Sequence, residues 1–136
     1  MASNLFVSDR AVSTMLFNLG AQLNGGFLQI WAGAQPANAN TATSASNTIL
    51  SECAFSSLAL TSYSANSAFA GTLTATTAVA TSTAIWYSAV TSSNKNNRII
   101  DGSVGLSSAD LILNSTSFAS GVSVSVTSYV IIFTEH

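Results

Sequence analysis

Very few side chains in this sequence could do chemistry: five carboxylates (Asp9, Glu52, Asp101, Asp110 and Glu135), one thiol (Cys53) and one imidazole (His136). Glycoside hydrolysis needs a pair of carboxylates flanking the scissile bond, and Asp101 and Asp110 fall at the ends of successive strand-like segments. Each also has a structural reading. Asp101 precedes Gly102, a pair that tight turns use, and Asp110 is placed to cap a turn ahead of Leu111. The structural reading is preferred, because nothing else points to a saccharide cleft. A cysteine nucleophile needs a base beside it, but the one histidine is the last residue, so Cys53 reads as a small buried hydrophobe. The 24 serines include no Gly-x-Ser-x-Gly elbow and have no interior histidine to activate them. One Cys and one His fall short of a zinc ligand set. Asp101-Gly102-Ser103 lacks the alternating oxygens of an EF-hand loop, and no glycine-rich phosphate loop occurs. The expectation is a non-enzyme: no catalytic residue, no metal site and no cofactor.

Composition points the same way. Only 6% of the 136 residues are charged, while 48% are hydrophobic and Ser, Ala, Thr and Asn together fill 71 positions. Globular domains usually carry about 25% charged residues. Three basic residues cannot supply the phosphate contacts of non-specific nucleic-acid binding, so no nucleic-acid partner is expected. No apolar run is long enough for a membrane span, so no membrane partner is expected either. A single cysteine excludes an intrachain disulfide. Met1 to Val7 has neither a basic segment nor a long apolar run, and we expect no secretory signal there. Free monomers normally mix charges over their surface, whereas interface cores are depleted in charge. A chain this neutral suits a subunit largely covered by other protein.

The elements that would position any site follow from hydrophobic period. Val12, Met15, Leu16, Leu19 and Leu23 recur at helical spacing. Ser8 is an N-cap candidate and Asn24-Gly25-Gly26 a stop, giving one amphipathic helix over residues 8–24. The period then changes to two. Phe27 to Ala32 reads as a strand, and Gly33 to Thr48 as a long surface loop of the kind that is often functional or ordered by a neighbour. Further strands are expected within 49–60, 69–80, 83–91, 98–104 (interrupted at Asp101-Gly102 by a bulge or turn), 111–113 and 122–133. The apolar run Val130 to Phe133 implies cover on both faces, from the helix or from a neighbouring subunit. This pattern predicts a mainly β chain: an antiparallel β-sandwich or jelly-roll-like domain of seven or eight short strands, spanning 8–136 with a leading helix and preceded by an arm, 1–7. Trp31, Trp86 and Tyr87 lie on strands, where core packing is the expected role. Alternation puts Trp86 and Tyr87 on opposite faces.

Several motifs together resemble a known group. They are Leu23-Asn24-Gly25-Gly26-Phe27-Leu28-Gln29-Ile30-Trp31-Ala32-Gly33-Ala34-Gln35-Pro36-Ala37, then Thr83-Ala84-Ile85-Trp86-Tyr87, Ile100-Asp101-Gly102-Ser103-Val104-Gly105, Ala109-Asp110-Leu111-Ile112-Leu113-Asn114 and Gly121 to Ser128. In this order the chain resembles small virion proteins of tailed bacteriophages and prophages, over about Leu16 to the end. The resemblance implies a structural protein made in the host bacterial cytoplasm and located in the virion. Its first implied role is that of a capsid cement or decoration protein. Such a protein binds the major capsid protein or another virion protein as a dimer or trimer and stabilises the assembled shell. An arm containing Leu5, Phe6 and Val7 is then the candidate interface. A neck, tail or baseplate subunit and a glycan-binding adhesion module are the alternatives; the last requires Trp31, Trp86 or Tyr87 to be exposed.

Overall fold

Ser8 starts a helix, α1 (Asp9–Leu23), in the manner its position implies: its hydroxyl accepts a hydrogen bond from the Ala11 amide at 3.3 Å. A computed structural model describes residues 6–64, 66–71, 73–94 and 96–132, apart from the side chains of Thr127 and Ser128. The helix stops at Asn24 because Gly25 takes a left-handed conformation (φ 68°) that suits a residue without a Cβ. Val12, Leu16 and Leu23 are buried, as their spacing implies. Met15 is not: it is 54% exposed, a correction to the expected apolar stripe. The reason is Gly20, where a Cβ would lie 2.9 Å from the Tyr63 hydroxyl and 3.1 Å from Leu60. Contact is closest on that side of the helix, and Met15 sits roughly 140° around from it.

Among the described residues twelve strands follow: β1 (Phe27–Ala32), β2 (Thr48–Ala54), β3 (Leu60–Ser64), β4 (Ser67–Ala70), β5 (Thr76–Thr77), β6 (Ser82–Thr83), β7 (Trp86–Val90), β8 (Arg98–Gly105), β9 (Leu111–Leu113), β10 (Ser117–Phe118), β11 (Ser123–Val124) and β12 (Val126–Ile132). Eight form one sheet in the order β2-β1-β7-β8-β9-β12-β4-β3, and two small sheets pair β10 with β6 and β11 with β5. Every pairing is antiparallel except β8 with β9. The fold is mainly β with one leading helix, in line with the sequence pattern.

The sheet must curl, for a reason of chain length. Its two edges, β2 and β3, are joined by residues 55–59 alone. Seven steps of about 4.8 Å would hold the edges of a flat sheet about 34 Å apart. The segment from Ala54 to Leu60 spans at most about 20 Å. α1 lies against β3 and β4, and its exit is tied to the same connection. The Gly25 amide donates to Ser56 O (3.0 Å), the Phe55 amide to Gly26 O (2.9 Å) and the Ala59 amide to Asn24 Oδ1 (2.8 Å). One contiguous core fills the curl, from Val12 and Leu16 on the helix through Leu28, Ile30 and Tyr87 to Ile131.

Two strand expectations are corrected. Asp101-Gly102 is neither a turn nor a bulge: β8 runs through it, with Ser88 opposite Asp101 and Tyr87 opposite Gly102. Gly102 is needed because a Cβ there would fall 2.5 Å from the Tyr87 ring. The irregularity lies earlier, where Ala89 faces Ile100 and Val90 faces Arg98, leaving Ile99 as the extra residue. The run Val130 to Phe133 is not covered on both faces within the described chain. Ile131 is buried opposite Ala68, but Ile132 is 62% exposed, and Phe133 lies outside the described residues. The helix shares the core cluster with Ile131, so it covers the face already filled.

Candidate functional site

The bulge at Ile99 decides what the outer face of the sheet looks like. Residues three apart on a regular strand point to opposite faces. One extra residue restores the parity, so Arg98 and Asp101 share a face and pair at 3.1 Å, both side chains almost wholly buried. Asp101 stands in a row that crosses four strands at matched register: Glu52 opposite Gln29, Gln29 opposite Ser88, Ser88 opposite Asp101. Gln29 donates to Glu52 (2.9 Å), and Ser88 donates to the Gln29 carbonyl (3.3 Å) while accepting from the Trp31 indole (3.0 Å). Trp31 stacks on Trp86 with centroids 5.2 Å apart and planes at 9°, and the Arg98 guanidinium lies over Trp86 at 5.5 Å. Burial pushes the Asp101 carboxyl above its ordinary pKa, and the Arg98 charge pulls it part of the way back.

The loop between β1 and β2 is built onto this face. Asn47 ties its two ends together, donating to Ala34 O (2.8 Å) and accepting from the Ser44 amide (2.9 Å). Asn38 makes a local turn by accepting from the Asn40 amide (2.9 Å). The Arg98 guanidinium then binds the carbonyls of Asn38, Ala39 and Thr41. Gly33 (φ 89°) lets the loop leave β1 close against Ser46. Between loop and sheet remains a cleft of about 330 Å³, walled by Gln29, Trp31, Asn40, Thr41, Asn96 and Arg98, among others. The sequence marked the loop as one often functional or ordered by a neighbour, but held no sign of this cleft. Its floor needs Gln29, Trp31 and Arg98 on one face, and the bulge that brings Arg98 there has no residue signature.

Asp101 and Asp110 border a different, smaller cleft of about 210 Å³ together with Tyr87. Both carboxylates have partners there or nearby. Asp110 accepts from the Ser103 amide and hydroxyl, each at 2.8 Å, and its own amide donates back to Ser103 at 3.2 Å. This clasp closes the short connection from β8 to its parallel neighbour β9, the turn role expected of Asp110. Burial above all, with Asp110 and Asp101 adding, pushes the Tyr87 hydroxyl up to about 12. Cys53 is buried, and its thiol is raised by desolvation, as suits a packing residue. Among the described residues no three of His, Cys, Asp and Glu gather to hold a metal ion, and no helix is long and apolar enough to cross a membrane.

Of the three candidate interface residues, Leu5 lies outside the described residues, Phe6 is 88% exposed and Val7 is exposed. Trp86 and Tyr87 are both buried, on opposite faces, as alternation implied. Trp31 meets the larger cleft beneath the loop and Tyr87 the smaller one beside Asp110. No protein-family model, curated protein or solved structure matches the chain.

Proposed function

We propose that this chain is a structural subunit of a bacteriophage virion, a capsid cement or decoration protein that binds the assembled shell through protein–protein contacts. The observation that carries the reading is the surface. Eleven large apolar side chains are exposed among the described residues, including Phe6, Phe17, Phe69, Val79, Leu106 and Ile132. Few charges stand between them, because two of the chain's eight, Arg98 and Asp101, are spent on each other inside the molecule. Depletion of charge around apolar side chains is the compositional mark of interface cores. Phe6 and Val7, ahead of the helix and off the core, suit an arm that reaches onto a neighbour.

The test is the copy number of the chain in purified virions, by quantitative mass spectrometry against the major capsid protein. A ratio near one, or a simple fraction of it, supports a cement protein. A count on the order of six or twelve per particle moves the chain to the neck, tail or baseplate, where rings of that symmetry occur. Absence from the virion overturns the reading.

A further inference from the structure

The cleft between the outer sheet face and the β1–β2 loop has the chemistry of a ligand site rather than of a packing defect. Its loop wall is fixed in advance by Asn38, Asn47 and Arg98, so little ordering would be lost on binding. A tryptophan lines it: Trp31, half-buried, with one face of its ring taken by Trp86. The remaining wall is mostly amides and hydroxyls, from Gln29, Asn40, Thr41, Thr43 and Asn96.

Charge then selects the class of ligand. Among the described residues, Arg98 is the cation lining the cleft, and its guanidinium is already committed to three loop carbonyls and to Asp101. An anion such as a phosphate would find no spare charge on those residues. An aliphatic ligand would strip water from the amides without replacing their hydrogen bonds. A neutral molecule with one apolar face and a rim of hydroxyls meets both demands, stacking on an indole while its edge bonds to amides and hydroxyls. We infer that this cleft binds a neutral saccharide, one or two pyranose rings long, with Trp31 as the stacking platform. The site goes beyond the assembly role. It would give a virion subunit a direct hold on a neutral glycan.

Trp31 and Trp86 are the only tryptophans in the sequence, so intrinsic fluorescence reports on this stack alone. The purified chain would be titrated with maltose, cellobiose, lactose and diacetylchitobiose, following tryptophan emission and saturation-transfer NMR. At least one disaccharide should give a saturable emission change with millimolar affinity and saturation of its ring protons. Ala42→Arg, at an exposed loop position lining the cleft, should abolish binding while leaving the fold intact. Trp31→Phe should weaken it about tenfold, the equivalent of one stacking contact. Ala119→Arg, an exposed position outside the cleft, should leave binding unchanged. Failure of all four disaccharides to bind overturns the inference, as does binding that Ala42→Arg leaves intact. Should Trp31→Phe fail to fold, the Ala42→Arg result decides alone.

Discussion

Replacing Arg98 by Met keeps the methylene stem against Trp86 and removes only the guanidinium. That group pairs with Asp101 at 3.1 Å, with 6% and 4% of the two side chains exposed, and it also holds three loop carbonyls. Removing one partner of a buried ion pair costs about 3–5 kcal/mol, mostly from the charge left behind. Against a total stability of about 5–15 kcal/mol this is a large fraction. At roughly 2–4 °C per kcal/mol, the melting temperature should fall by on the order of 10 °C. The double variant Arg98→Met/Asp101→Leu removes the orphaned carboxylate and should recover more than half of the loss. It should not restore the loop, which in both variants should be cut faster by protease within residues 38–46. Acid should shrink the penalty of the single variant. A carboxyl whose pKa rises on folding binds protons more tightly in the folded chain, so its protonation favours the fold and its ionisation, as pH rises, opposes it. Asp101 is already shifted upward with Arg98 present, and losing Arg98 shifts it further in the same direction. Urea unfolding of the three proteins at neutral and acid pH measures all of this. A single-variant loss below about 1 kcal/mol, or a double variant no more stable than the single, would refute the account of a buried, compensated pair.

Gly102→Ala should destabilise by at least about 1–3 kcal/mol, because its Cβ would enter the Tyr87 ring, and thermal melts will show it. Stability should fall as pH rises from about 10 to 12. The folded chain holds the Tyr87 proton up to about 12 while the unfolded chain releases it near 10, a loss on the order of 3 kcal/mol across that window. Tyr87→Phe should reduce the fall without abolishing it, because burial pushes the neighbouring Tyr129 hydroxyl up as well. Deleting residues 2–7 should weaken association with the shell without lowering the melting temperature, since Phe6 and Val7 lie off the core; binding that survives the deletion would count against the arm. Asp110→Ala removes the one carboxylate oxygen, Oδ2, that accepts both Ser103 hydrogen bonds and should cost about 1–2 kcal/mol, read by denaturant unfolding.

The sequence was most legible where one residue type answers one local need. Ser8 and Gly25 bound the helix, Asn24-Gly25-Gly26 turns the chain, and Phe27 to Ala32 alternates between the core and the outer face. Asp110 could be placed at a turn because an aspartate beside a strand end commonly accepts backbone amides. Legibility failed where the outcome depends on a partner distant in sequence. Met15 has the right spacing but is turned outward by a contact at Gly20 with β3. Asp101-Gly102 looks like a turn, yet the glycine answers a ring on the neighbouring strand. The cleft was illegible for the same reason. Gln29, Trp31 and Arg98 share that face only once β1, β7 and β8 have set their register, and no pairwise motif records that.

The extra residue at Ile99 makes the chain unequal in its tolerance of length changes. The hairpin tip, residues 92–97, can gain or lose a residue with little consequence, since only the reach of a polar turn is altered. One residue added between Arg98 and Asp101, with the bulge kept, would instead put the two side chains on opposite faces and point the guanidinium into the core. The loop over the sheet would lose its anchor, the tryptophan pair its cover and the carboxylate its counter-ion, all from one insertion that touches none of them. Losing Ile99 would do no such harm, because residues two apart on a regular strand already share a face. Related sequences should therefore vary in length at the tip and keep the arginine and aspartate either three apart with the bulge or two apart without it.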